Sequence, residues 1–392
     1  MANTSFRAPS AGLLDAAATP LASSAAVALA SAWELGWADP RRLHRYGRQA
    51  RRLLDEARAQ LAEGLGVRPD EVTFTPGGIA ALRWAQDGLR YAARRRGHRL
   101  VASAVEHSAI LTSGRHLAAM ANDPLLHAEV GVDRLGRVHL GAWEDAVAHE
   151  GTAFAALQAA NGEVGTRQPL PAAREICQRH GIPLLVDATA SLGRDLVPRD
   201  FDVLAGDARS WGGPPGLGIL VVRTGVRWRR DAPPSELEHG RSDIEPVIPL
   251  AMAAAAAWAD TSRSLPVESA DARRLVDRIR AAAAAVPETE VAGDADDRLP
   301  HIVTFSALLA DGEALVTELD RHGYAVASGS ACTASTLEPS HVLAAMGVLT
   351  HGNVRITLPL ASVAPDRAAT VEGFCAVLPE AIAAVRAQVG SR

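Results

Sequence analysis

The chain has 392 residues, 48% of them apolar and 22% charged, with a formal net charge of −5. Those values fit a globular protein that buries a large core, as two domains or as one large α/β unit with a smaller companion, and they argue against a nucleic-acid or acidic-membrane surface. The basic residues are forty Arg with no Lys, which excludes any chemistry that needs a lysine amine, because a guanidinium stays protonated and is not a nucleophile.

The N-terminal stretch MANTSFRAPSAGLLDAAATPL lacks the basic region and apolar run of a secretory signal. Short apolar runs then alternate with amphipathic stretches. Strands are expected at Val72–Thr75, Arg99–Ser103, Ala128–Val132, Phe154–Ala159, Pro183–Val186, Val203–Ala205 and Leu217–Val222, with helices such as Leu43–Glu63, Ile79–Ala92 and Leu170–His180 between them. This alternation predicts a mostly parallel sheet covered by helices. The Pro-rich stretch Pro233–Pro249 suggests a boundary, giving a large α/β domain over residues 13–248 and a small α+β domain over 249–392. The small domain should begin with a helix over Ala251–Val286, interrupted near Leu265–Pro266, and carry strands at Ile302–Phe305, Tyr324–Ala327 and Val354–Leu358. The Ala-rich run Ala251–Ala257 is too short to cross a bilayer, so no membrane segment is expected.

Three cysteines, Cys177, Cys332 and Cys375, make neither a disulfide framework nor a metal-ligand spacing, and a reducing cytoplasm fits them. Cys177 lies in a helical pattern and reads as core. Cys375 sits in an apolar run. Cys332 stands apart, in the small and polar run Ser328-Gly329-Ser330-Ala331-Cys332-Thr333, where a thiol can be reactive.

That run resembles the persulfide-forming loop of cysteine desulfurases of the NifS/IscS type, in the class V aminotransferase branch of fold-type-I pyridoxal phosphate (PLP) enzymes. Further segments resemble the family in the same order: Leu14–Pro20, Leu43–Ala50, Glu106-His107, Asn161–Gly165, Val186–Thr189, Gly213–Gly218 and Val354–Leu358. The resemblance implies a fold-type-I PLP-transferase-like large domain and a homodimer. It implies that His107 stacks on a pyridine ring, that Asp187 pairs with its nitrogen, and that Asn161 and Arg355 hold substrate. It also implies that Gly77 and Gly78 face a phosphate at a helix N-terminus.

The departures are equally ordered. Where the family has its Schiff-base lysine the chain has Ser210, preceded by Arg209, and a hydroxyl forms no imine. The phosphate cup carries Ile79, Asp207 and Ile244 in place of family donors, and Ala190 and Gly162 replace an amide apiece. No covalent cofactor is therefore expected; Arg209 and the glycine amides leave non-covalent PLP or its amine form open.

The primary expectation is a degenerate desulfurase-like protein that handles sulfur at Cys332, or partners an active desulfurase or a sulfur-acceptor protein. A heterodimer with an intact paralogue is a variant of it. The alternatives are an enzyme using non-covalent PLP or another small anionic ligand, with His107 as base, and an Arg-rich RNA-binding protein using Arg41–Arg52 and Arg90–Arg99. Simpler structural roles compete at several positions: a turn cap for Asp187, a helix cap for His107, an internal ion pair for Arg355 and a solvated helix face for the Arg runs.

Overall fold

The computed structural model describes residues 11–17, 20–329 and 339–390. Seven strands form the main sheet: β1 (Val72–Thr75), β2 (Arg99–Ser103), β3 (His127–Val130), β4 (Thr152–Gln158), β5 (Leu184–Asp187), β6 (Val203–Asp207) and β7 (Gly218–Val222). Their spatial order is β1-β7-β6-β5-β4-β2-β3. Strands β2 to β6 pair in parallel, while β7 runs antiparallel between β6 and β1. The mostly parallel sheet is thus as expected. Strands β4 to β7 are buried at every residue, as strands covered on both faces must be.

Strand alternation divides the apolar residues between two layers. Leu100, Phe154, Leu185 and Leu220 face α3 (Gly78–Ala93) and α4 (Ser108–Ala121). Val101, Leu157, Val186 and Val221 face the opposite layer, built from α2 (Arg45–Leu65), α5 (Leu140–Ala148) and α6 (Leu170–Arg179). Helix α1 (Ser23–Leu35) adds Ala25 to that layer. Helix α2 buries Leu54, Ala57, Leu61 and Leu65, three to four residues apart, and stops at Gly66, whose φ of 64° suits a left-handed cap.

The expected break at Leu265–Pro266 does not occur. Helix α7 runs unbroken over Ile248–Ala284, 37 residues with Pro266 inside. Pro266 and Ser262, whose carbonyl loses its partner, both lie on the exposed side, where water can satisfy that group. Packing holds the helix straight through: Ala251–Trp258 contribute to the large core, and Leu275, Val276 and Ile279 to the small one. The boundary expected after residue 248 therefore falls at the start of a helix shared by both cores.

The small sheet orders β10 (Asn353–Thr357), β9 (Ile302–Ala307) and β8 (Thr289–Val291), all antiparallel, alongside α8 (Gly312–Arg321), α9 (His341–Met346) and α10 (Arg367–Gly390). Tyr324–Ala327 is not a strand; Ala325 and Ala327 make only isolated bridges, to Leu13 and Arg355. Leu14, near the start of the expected large domain, is buried in the small core. Helix α10 is long and apolar enough to cross a membrane, but Phe374, Leu378, Ile382 and Val385 on it are buried in the small core.

One buried ion pair ties the edge of the main sheet. Arg58 on α2 donates to Glu238 at 2.8 Å and to the Val72 carbonyl at 2.7 Å, and Glu238 accepts the Phe74 N–H at 2.7 Å. Breaking such a pair leaves a charge without compensation. Arg58→Ala should therefore cost about 3–5 kcal/mol, read as a lower urea midpoint; a loss below about 1 kcal/mol would show that the pair is not needed.

Candidate functional site

The C-terminal ends of the parallel strands open into a cavity of about 670 Å³, closed on its other side by the small domain. This is where parallel α/β sheets place ligands. Gln158, Asp187 and Asp207 are the last residues of β4, β5 and β6, and Arg355 arrives from β10. The cavity brings together His107, Asn161, Asp187, Arg209, Ser210, Arg355 and Gly78. Cys332 lies outside the described residues.

Several of these side chains also hold the backbone. Asp187 accepts the Thr189 N–H at 2.8 Å and its hydroxyl at 2.7 Å, so it caps the turn after β5 while lining the cavity. His107 caps α4 by accepting the Ala109 N–H on Nδ1 at 3.0 Å. Asn161 accepts the N–H groups of Glu163 and Val164, both at 2.8 Å, and donates to the Val105 carbonyl at 3.1 Å, which leaves one amide hydrogen. Arg355 is different: it lies 5% exposed, 3.8 Å from Asp15, and its buried Nε and Nη1 have no hydrogen-bond partner among the described residues. The internal ion pair offered as its simple role is present only at that long distance.

Three carboxylates that sequence reasoning left out of the site, or treated only as a loss, define its charge. Glu106 is fully buried; it accepts the Gln158 N–H at 2.8 Å, and burial together with nearby Asp187 raises its carboxyl well above the usual range. Burial likewise pushes Glu163 up to about 7, against the opposing pull of Ser340 and Arg355. Both sit inside segments already notable in the sequence, Glu106-His107 and Asn161-Gly162-Glu163, but only burial reveals that their carboxyls are shifted upward. The third, Asp207, accepts the Gly78 N–H at 2.9 Å at the start of α3, and Arg209 grips it through Nε at 2.9 Å and Nη2 at 3.0 Å.

Two expectations need correction. Arg209 is not a free cation for a ligand, because Asp207 takes its charge. Gly77 does not present its amide to the cavity: its N–H donates to the Thr75 carbonyl at 2.8 Å, and its φ of 108° sets the turn into α3.

The fold and its cleft are those of a large-plus-small-domain α/β protein of the PLP-transferase type. The description Aminotransferase class-V matches residues 13–366. An IscS-like cysteine desulfurase of Mycobacterium tuberculosis is 33% identical over 391 residues, covering 95% of this chain and 96% of that one. Cysteine desulfurase IscS 1 of Archaeoglobus fulgidus is 31% identical, covering 89% and 90%. A solved apo cysteine desulfurase from Thermococcus onnurineus NA1 superposes with a TM-score of 0.83 over 95% of each chain, at 22% identity. The chain belongs to the class V aminotransferase family and is a homologue of the IscS-like cysteine desulfurases.

The family depends on PLP, and the residues at its lysine and phosphate positions do not fit that group here. No lysine exists to hold it. The Ser210 hydroxyl lies 2.8 Å from the Leu192 carbonyl and 2.9 Å from the Asp207 carbonyl, so its one hydrogen is already engaged. The helix N-terminus that would receive a phosphate holds the Asp207 carboxylate instead.

Glu163 makes stability depend on pH with a definite sign. Its folded pKa of about 7 lies above the ordinary 4.5, so the unfolded chain ionises first as pH rises. The stabilisation is full below about 4.5 and is lost as pH passes about 7, and Glu106 acts in the same direction. Unfolding free energy should fall by roughly 2–3 kcal/mol from this group between pH 4.5 and 8, and Glu163→Gln should flatten that slope. An unchanged slope in Glu163→Gln would refute the assignment.

Proposed function

We propose that this chain handles sulfur without Schiff-base PLP chemistry, either by accepting a persulfide at Cys332 or as a partner or regulator of an active cysteine desulfurase. The observation that carries this reading is the cleft itself: Ser210 stands at the lysine position, and the Asp207–Arg209 pair fills the start of α3. Other described features support it. His341 and Val342, just after the segment holding Cys332, line the same cavity as Arg355. Cys177 and Cys375 are buried, and burial pushes their thiols up to about 12 and about 11, which leaves them poor nucleophiles.

The step is a thiol–persulfide exchange. The Cys332 thiolate attacks the outer sulfur of a donor persulfide, the donor S–S bond breaks, the donor leaves as a thiolate, and Cys332 becomes the persulfide. No electrons are gained or lost overall. The exposed apolar side chains Val27, Trp33, Trp37 and Leu43 support a dimer, either with a second copy or with an intact paralogue. The RNA-binding alternative finds no support among the relatives, and several arginines of the two basic runs are engaged within the fold, as in Arg41 with Asp39, Arg51 with Asp55, Arg96 with the Gly181 carbonyl and Arg99 with the Ala146 carbonyl.

The reduced chain, mixed with an active cysteine desulfurase and L-[35S]cysteine, should acquire one reductant-labile label per chain, at Cys332. No label, or equal label on Cys332→Ala, overturns the transfer reading.

A second reading is favoured by the two buried nitrogens of Arg355 that have no partner among the described residues: the cleft binds a small carboxylate without any cofactor. A carboxylate at that buried guanidinium should raise the melting temperature by several degrees at millimolar 3-mercaptopropionate or acetate. A folded Arg355→Gln should lose the shift, and no shift in the wild-type chain rules this reading out.

A further inference from the structure

Asp207 and the first turn of α3 meet because the register requires it. Gly218 on β7 pairs with Thr75 on one side and with Asp207 on the other. A Cβ on Gly218 would come within 2.4 Å of the Gly77 carbonyl carbon, so only glycine lets the Thr75–Gly78 turn approach so closely. The short turn Ala208–Trp211 then folds Arg209 back onto the carboxylate that precedes it.

The result is an anion site that is filled from within. The Asp207 carboxylate receives four hydrogen bonds: Gly78 N–H at 2.9 Å, Arg209 N–H at 3.0 Å, and the two from the Arg209 guanidinium. A helix N-terminus and a forked guanidinium are the partners a bound phosphate would take. Asp207 is 6% exposed and already takes the Gly78 N–H, the Arg209 N–H and two guanidinium N–H groups, so the donors that a second anion would use are occupied. Its charge also cancels that of Arg209, so an arriving phosphate dianion meets no net positive charge there.

We propose that Asp207 is a built-in anion that closes this seat to phosphate monoesters and so restricts the cavity to ligands without phosphate. The proposal rests on the cofactor-free reading above and names the residue that enforces it. Removing the carboxylate frees Gly78 N–H and the Arg209 guanidinium together, so one substitution should reopen the seat. Asp207→Ser keeps an oxygen to accept the Arg209 N–H, and Asp207→Gly serves as a second opened form.

The test is equilibrium binding of pyridoxine 5′-phosphate and inorganic phosphate to the full chain, with folding checked by circular dichroism melts. Pyridoxine 5′-phosphate carries no aldehyde, so the terminal amine cannot trap it. Wild type should bind it weakly, and Asp207→Ser at least about 100-fold more tightly, or about 2.8 kcal/mol. Inorganic phosphate should compete, and adding Arg209→Ala to Asp207→Ser should abolish the gain. If wild type binds the probe as tightly as Asp207→Ser, both this proposal and the cofactor-free reading fail. If wild type binds weakly and the two folded variants gain nothing, this proposal alone fails.

Discussion

The architecture depends on one helix that belongs to two cores. Helix α7 buries its first turns against the main sheet and its last turns against the small one, so the two domains cannot separate without bending 37 residues of continuous helix. It also sets the turn beneath the cleft. Trp211 donates to the Ala254 carbonyl at 3.0 Å and meets Trp258 edge-on at 5.2 Å, which anchors the end of the turn carrying Arg209 and Ser210. On its small-domain half, Glu268 and Asp271 hold Arg367, the first residue of α10. The cleft therefore has a width fixed by packing, and the polar groups inside it meet at set distances.

Within that cleft, burial decides which charges persist. Glu106 and Glu163 are driven toward their neutral forms, while Asp207 has its own cation. Arg355 is a buried cation with two nitrogens that have no partner among the described residues. A site organised in this way presents a buried cation at one end and an internal ion pair at the other. That pair sits where β6 ends and α3 begins.

Much of this was legible in the residues. Short apolar runs gave all seven main strands to within a few residues, because strands covered on both faces, as β4 to β7 are, read as near-continuous apolar runs. Ordered motifs indicated the family, and the missing lysine and altered cup marked the departure. The misreadings have local causes. Proline predicts a helix break, but α7 is held through Pro266 by cores on both sides. Tyr324–Ala327 reads as a strand but bridges singly to two different partners. The short strand Thr289–Val291, half-buried at an edge, carries too little apolar pattern to be seen.

The sequence by itself determined the fold class, the family and the absence of an imine-forming residue, since all three follow from residue identity and order along the chain. Only the tertiary structure decided where the charges go. Asp207 and Gly78 are 129 residues apart, and Glu106 and Asp187 come from different strand ends. Whether an acid is free, paired or protonated depends on burial and on neighbours brought in by strand register, and neither quantity is local in sequence.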